Sequence, residues 1–162
     1  MTRPRVLILG NSGSGKTTMA RALAELHGVD HLDLDLVAFS EPGVRADFED
    51  SAAAIRAFDL EADGWVIEGS YASLAEVASP LATEFVFLNP GVETCIAHAR
   101  ARPWEPEKYD SKADQDAGLE FLLDWIRSYP GRDDDYGQTA HRTVFDAFTG
   151  DKREVTSSDL EG

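Results

Sequence analysis

Gly10-Asn11-Ser12-Gly13-Ser14-Gly15-Lys16-Thr17 decides how this chain is read. The octet has the form G-x-x-x-x-G-K-[ST], and its neighbours fit it. Before it stands the apolar run Val6-Leu7-Ile8-Leu9, the pattern of a buried parallel strand. After it comes Thr18-Met19-Ala20-Arg21-Ala22-Leu23, rich in helix formers. Strand, glycine-rich turn and helix together make a phosphate cradle. The glycines let the backbone curl so that N–H groups point inward at anionic oxygens, and the helix start adds its positive dipole end. Residues Gly10 to Thr17, with Thr18 behind them, are therefore expected to bind a nucleotide. Lys16 reaches the β- and γ-phosphates, and the Thr17 hydroxyl is placed for Mg²⁺.

Outward from the loop, strands and helices alternate, which predicts a parallel sheet with helices on both faces. Strands are expected near residues 5–9, 30–35, 65–67, 84–88 and 153–156. Helices are expected near residues 15–27, 48–58, 92–99, 111–126 and 138–148. Asp47 is a candidate cap for the second of these, and Ser111 with Asp114 for a capping box. Residues 40–43 read as a loop. The 162 residues suit one domain.

Lys+Arg number 15 against Asp+Glu 30, a formal charge of -15. That balance argues against nucleic-acid backbones and anionic membranes as partners. No apolar run approaches the ~20 residues of a membrane span. Cys95 is alone, so no internal disulfide can form; it reads as a small buried residue, and a reducing cytoplasm is the simplest setting. The four histidines show no metal-ligand spacing.

In open α/β sheets, ligands gather at the carboxyl ends of strands. There the second strand carries Asp33-Leu34-Asp35. Residues two apart on a strand share a side, so both carboxylates should face the cradle. One could serve the metal and the other take the proton of an acceptor hydroxyl. The third strand runs into Glu68-Gly69-Ser70-Tyr71. Glu68 stands where a Walker B carboxylate would position Mg²⁺. Gly69 would admit a ligand close to the backbone, and Tyr71 would line an acceptor pocket. Positive charge over the transferred group is sought in Arg100 and Arg102 at a helix end, or in Arg132 in a later turn. Asp133, Asp134 and Asp135 read as a solvated acidic loop. Trp104 and Lys108 lie in a proline-broken segment that reads as a lid.

With these residues named, the chain resembles the small P-loop kinases of the nucleoside-monophosphate-kinase and shikimate-kinase type, including small bacterial proteins described as adenylate-kinase-like or topology-modulation kinases. The likeness rests on Gly10–Thr17, on Asp33 and Asp35, and on Glu68-Gly69-Ser70-Tyr71. It implies a three-layer P-loop fold with a five-stranded parallel sheet of order 2-3-1-4-5. It also implies an acceptor-binding region near residues 39–60 and a lid near residues 100–114. Such enzymes use ATP and Mg²⁺, and Asp35 matches the carboxylate that holds and activates the acceptor hydroxyl. The glycine triplet of shikimate kinases is replaced by Glu68-Gly69-Ser70, the lid is poor in arginine, and the D-G-[FY]-P-R element of adenylate kinases is absent. The expectation is a cytoplasmic, ATP-dependent kinase acting on a hydroxyl of a small metabolite. A nucleoside or nucleoside-monophosphate kinase and a nucleotide-binding regulator are the alternatives; a GTPase is disfavoured because no N-K-x-D motif occurs.

Overall fold

A computed structural model describes residues 3–107 and 109–157 of the chain. The strand β1 (Arg5–Gly10) leads through the glycine-rich loop into helix α1 (Lys16–His27). Gly28 ends α1 in the left-handed conformation, its N–H returning to the carbonyls of Ala24 and Glu25. Then come β2 (Asp30–Asp33), α2 (Asp35–Ala38) and an antiparallel hairpin of β3 (Phe39–Glu41) and β4 (Val44–Arg45). Helix α3 (Phe48–Glu61), β5 (Trp65–Gly69), α4 (Ala72–Ala78) and β6 (Glu84–Leu88) follow. The remainder is α5 (Val92–Ala101), α6 (Lys112–Ala117), α7 (Leu119–Arg127), α8 (Gln138–Ala147) and β7 (Asp151–Val155).

The main sheet has the order β2-β5-β1-β6-β7, and every pairing in it is parallel. With the separate β3–β4 hairpin set aside, its strands run 2-3-1-4-5 along the chain, as the resemblance implies. Strand periodicity divides the core. Leu7, Leu9, Phe85 and Phe87 pack with Ile55 of α3, Leu74 and Ala75 of α4, and Val144 and Phe145 of α8. Val6, Ile8, Val86 and Leu88 point the other way, onto Ala20 and Ala24 of α1. A third cluster joins Cys95, Ile96 and Ala99 of α5 to Leu123 and Ile126 of α7, and Cys95 is indeed buried.

Local expectations fare unevenly. Ser111 Oγ accepts the Asp114 N–H at 3.1 Å, as a capping residue should. Asp47 occupies the cap position of α3, but its side chain makes no cap bond there. The second strand stops at Asp33, and Asp35 already belongs to α2. Of the loop expected at residues 40–43, only Pro42 and Gly43 form the hairpin turn; Ser40 and Glu41 belong to β3. Helix α4 has no clear start signal of its own. Its first N–H groups are satisfied from elsewhere: Ala72 N–H donates to the Asp135 carbonyl at 3.0 Å, and the Asp135 carboxylate accepts Ser73 N–H at 2.7 Å and Ser73 Oγ at 2.8 Å. A carboxylate at a helix N-terminus is favourable, so Asp135 is a long-range cap and the acidic run is not simply solvated. Lys108 and residues 158–162 lie outside the described residues. Among those described, no helix is long and apolar enough to cross a membrane.

Candidate active site

The loop adopts the backbone its glycines allow. Gly13 has φ 79° and Gly15 φ 98°, values that other residues adopt only with strain. Asn11, Ser14 and Gly10 are buried, and Ser12, Gly13, Gly15, Lys16 and Thr17 are partly so; Thr18 is exposed in the first turn of α1. The Lys16 ammonium donates to the Asn11 carbonyl at 2.8 Å. Among the described residues no carboxylate forms an ion pair with it. Burial pushes its pKa below the ordinary ammonium value, while the charges of Glu68, then Cys95, Asp35 and Asp33, pull it up. A desolvated cation facing several carboxylates without contact suits an anionic guest bound between them. The Ser14 hydroxyl, fully buried inside the loop, has no hydrogen-bond partner among the described residues, which also fits a loop completed by a ligand.

Glu68 is buried at the end of β5 and accepts two hydrogen bonds on one oxygen. Thr17 Oγ1 donates to its Oε2 at 3.0 Å, and His31 Nε2 lies 3.0 Å from the same atom. Because a carboxylate oxygen accepts, His31 carries its proton on Nε2. His31 was missed as a site residue, although a signal existed: it stands two before Asp33 on β2 and shares its side. Thr17 and Glu68 form a hydroxyl–carboxylate pair of the kind that holds Mg²⁺ together with phosphate oxygens and water. Among the described residues no group of three or more His, Cys, Asp or Glu side chains forms a metal cage. The donor set therefore fits a phosphate-bound ion better than a resident one.

Asp33 and Asp35 are brought together by a turn, not by a shared strand face. Asp33 Oδ1 accepts the Asp35 backbone N–H at 2.9 Å, an Asx-type turn that ends β2 and starts α2. Asp35 is exposed, and its Oδ1 accepts the Tyr71 phenol at 2.6 Å. Burial, then the bond to Asp35, raises the Tyr71 pKa above its ordinary value. Gly69 has a different task from the one expected. A Cβ there would stand 2.7 Å from Leu34 Cβ and 2.8 Å from its Cδ1. Leu34 occupies the space that a ligand was expected to use, and the Leu34 N–H donates to the Glu68 carbonyl at 2.9 Å.

The arginines are sorted differently from the expectation. Arg100 is exposed on the last turn of α5, and Arg102 pairs with Glu105 at 3.5 Å. Neither contacts the loop. Arg132 lies 3.8 Å above the Trp125 ring, pairs with Asp134, and is 5.9 Å from the Tyr136 ring. Tyr136 touches Tyr71 edge to face, at 5.2 Å between ring centres. Arg132 is thus linked to Asp35 only through Tyr136 and Tyr71, and its partners among the described residues lie outside Gly10–Thr17. Arg45, at the end of β4, was missed. Its guanidinium lies 4.9 Å from the Tyr71 ring and donates to the Ala38 carbonyl at 3.1 Å and to the Tyr136 hydroxyl at 2.5 Å. Among the described residues no carboxylate pairs with it. It falls inside the expected acceptor region, but nothing in its local sequence separates it from any other surface arginine.

Of the region expected as a lid, residues 100–114, the two ends belong to α5 and α6, and the described residues between them form no helix or strand. Trp104 Nε1 donates to the Tyr109 carbonyl at 3.3 Å, and Gln115 ties the segment to α6 through the Glu105 N–H and the Pro103 carbonyl. A buried triad also escaped the sequence reading. His141 Nε2 donates to the Ser70 carbonyl at 2.7 Å, so its Nδ1 accepts the Tyr129 hydroxyl at 2.8 Å. Ser70 Oγ in turn donates to the Gly10 carbonyl at 2.9 Å. The loop is thereby fastened to the end of β5 and to α8.

No family model matches the chain. A shikimate kinase from Thermobifida fusca (strain YX) is 41% identical over 63 residues, which cover 37% of this chain and 37% of that enzyme. The chain therefore matches well under half the length of that curated relative. Solved structures align over much more. A shikimate kinase from Acinetobacter baumannii in complex with shikimate superposes with a TM-score of 0.53 at 18% identity, over 99% of this chain and 89% of that one. A shikimate kinase from Bacteroides thetaiotaomicron gives 0.51 at 18% over 88% and 97%. A gluconokinase from Sinorhizobium meliloti 1021 gives 0.51 at 19% over 95% and 83%. At these identities the structural likeness speaks for the fold. By motif and by fold, this chain resembles the small P-loop kinases of the shikimate-kinase-like type.

Proposed function

We propose that the chain is an ATP-dependent phosphotransferase that moves the γ-phosphate to a hydroxyl of a small metabolite, with Asp35 as the base. The observation that carries this reading is a loop shaped for phosphates whose Lys16 ammonium, lowered in pKa by burial, is pulled back up by the charges of Glu68, Asp35 and Asp33, with Tyr71 holding the Asp35 carboxylate at 2.6 Å. Lys16 would stabilise the transferred group, and the loop N–H groups would hold the β- and γ-phosphates. Thr17 and Glu68, with Asp33 near them, would hold Mg²⁺, which when bound neutralises charge on the phosphate oxygens. Tyr71 fixes the Asp35 carboxylate through its hydroxyl. Trp125, Arg132, Tyr136 and Arg45 would line the acceptor side.

Arg45 favours an acceptor that is itself acidic. It is a cation without a carboxylate partner among the described residues, in a chain of charge -15. That is an arrangement suited to a carboxylate or phosphate on the substrate. A nucleoside monophosphate would satisfy it as well as a hydroxy acid, but its phosphate needs no base, and the Asp35–Tyr71 pair favours a hydroxyl. The cytoplasmic setting expected from the lone cysteine belongs to the same reading.

A coupled assay of ADP release tests it, run with ATP and Mg²⁺ across hydroxy acids, sugar acids, neutral sugars, nucleosides and nucleoside monophosphates. Stimulation by a hydroxylated acid, lost in Lys16→Ala, is the expected result. Stimulation by nucleoside monophosphates alone would replace the hydroxyl reading. Slow ATP turnover that no acceptor changes would make the chain a regulator or simple NTPase.

A further inference from the structure

We propose that His98, outside the phosphate-binding motif, is a positioning residue that fixes the loop by holding the Gly13 carbonyl away from the ligand. A phosphate nest works when successive N–H groups converge inward, so the carbonyls between them must turn outward and find donors of their own. Three loop carbonyls have them. Gly10 O accepts from Ser70 Oγ at 2.9 Å, and Asn11 O from Lys16 Nζ at 2.8 Å and Ser14 N–H at 3.2 Å. Gly13 O accepts from His98 Nδ1 at 2.7 Å. A carbonyl cannot donate, so Nδ1 carries the hydrogen.

The geometry around this bond ties the loop to α5. Gly13 has φ 79°, and a Cβ on it would stand 2.5 Å from the Cys95 carbonyl oxygen. The loop backbone therefore rests directly on α5. His98 lies three residues beyond Cys95, on the same side of the helix, and reaches back to the carbonyl of the residue in contact. His98 is exposed and adds nothing to the apolar core. Among the described residues its hydrogen-bond partner is a loop carbonyl. On the other side, Asn11 Nδ2 donates to the Ile126 carbonyl of α7 at 3.3 Å. The loop is therefore tied to α5 through Gly13 and to α7 through Asn11, two helices that pack on each other through Cys95, Ile96, Ala99, Leu123 and Ile126.

The inference rests on the reading of Gly10–Thr17 as an ATP site, and the test separates the two. ATP affinity is measured by calorimetric titration with Mg²⁺ on the full chain, for wild type, Lys16→Ala, His98→Leu and His98→Asn. The asparagine Nδ2 stands where the histidine Nδ1 stands, so it can restore the bond. His98→Leu is expected to weaken ATP binding about three- to tenfold, the worth of one ordered hydrogen bond. His98→Asn is expected to stay within about twofold of wild type. Melting temperatures of both variants should match wild type, since an exposed side chain is changed. A His98→Leu chain that binds as wild type does, or a His98→Asn chain as weak as His98→Leu, overturns the role of His98. A wild-type chain that fails to bind ATP overturns the nucleotide-site reading and this inference with it.

Discussion

The Tyr71 hydroxyl donates to Asp35 Oδ1 across 2.6 Å, linking the end of β5 to the start of α2. Tyr71 is buried and its pKa is raised, by burial first and by the Asp35 bond second. It therefore keeps its proton at any working pH and acts as a donor. On the proposed reading, the group that accepts the acceptor's proton is Asp35. Replacing Asp35 with Asn should leave ATP affinity unchanged and lower turnover by about 10²- to 10⁴-fold, the usual span for a general base. Wild-type turnover in Asp35→Asn, measured by the coupled assay with the acceptor found there, would remove Asp35 from that role.

Tyr71→Phe tests the orienting bond separately. The ring stays to pack against Tyr136 and Arg45, and only the hydroxyl is lost. A hydrogen bond to a charged group contributes roughly 1.5–3 kcal/mol, so kcat/KM for the acceptor should fall about tenfold or more. ATP affinity should not change. A loss confined to ATP binding would show that the Tyr71–Asp35 link does not serve the acceptor.

Much of this site was legible in the sequence because its parts are local. The loop, its flanking strand and α1 are consecutive, and Glu68 follows an apolar run that could hardly be anything but a buried strand. The central sheet was legible for the same reason, from the period of its apolar residues. What escaped is non-local. Helix α4 is capped by Asp135, 62 residues beyond Ser73, and the hairpin β3–β4 carries no strong strand signal. Arg45 acquires meaning only when Tyr71 and Tyr136 are folded against it. Asp33 and Asp35 were paired correctly for the wrong reason: strand alternation was invoked where an Asx turn brings them together. Gly69 was read as open space, yet Leu34, the residue between those two aspartates, fills it.

Gly69→Ala follows from that last point. The new methyl would meet Leu34 Cβ at 2.7 Å in a fully buried corner, and overpacking of this kind costs about 1–3 kcal/mol. Denaturant midpoints should show the loss. In a double-mutant cycle, Gly69→Ala should be less harmful on a Leu34→Gly background, which removes Cβ together with Cγ and Cδ1 and so removes the clash. Strict additivity of the two changes would show that Leu34 is not what Gly69 accommodates.

His141 makes stability depend on pH. It is completely buried, and burial lowers its pKa from 6.5 to about 4. The unfolded chain, with an ordinary histidine, then binds more protons than the folded one between those values. The stabilisation is fully present above about pH 6.5 and is lost as pH falls toward 4, to a total of about 3 kcal/mol. His141→Gln should be less stable than wild type at pH 7.5, having lost the bonds to Ser70 and Tyr129. Its stability should fall less steeply over this interval. Parallel slopes for the two chains, from urea melts at successive pH values, would show that His141 does not titrate as buried.

Arg45 tests the nature of the acceptor. Its Nε and Nη1 atoms hold Ala38 and Tyr136, and the remaining N–H groups of its fork stay available beside the Asp35–Tyr71 pair. If an acidic group of the substrate is read there, Arg45→Gln should raise the acceptor KM by about 10- to 100-fold, the loss of one charge-assisted contact. The KM for ATP should stay near the wild-type value, since the partners of Arg45 are Ala38, Tyr136, Phe39 and Tyr71, outside Gly10–Thr17. Arg45→Lys should recover only part of the loss, because a point charge cannot reproduce the planar fork. The neutral analogue of the same acceptor, with its acid replaced by an amide, gives the decisive comparison. It should bind wild type and Arg45→Gln about equally poorly. A neutral acceptor that serves wild type as well as the acid does would assign Arg45 to holding the hairpin against Tyr136 and not to reading charge.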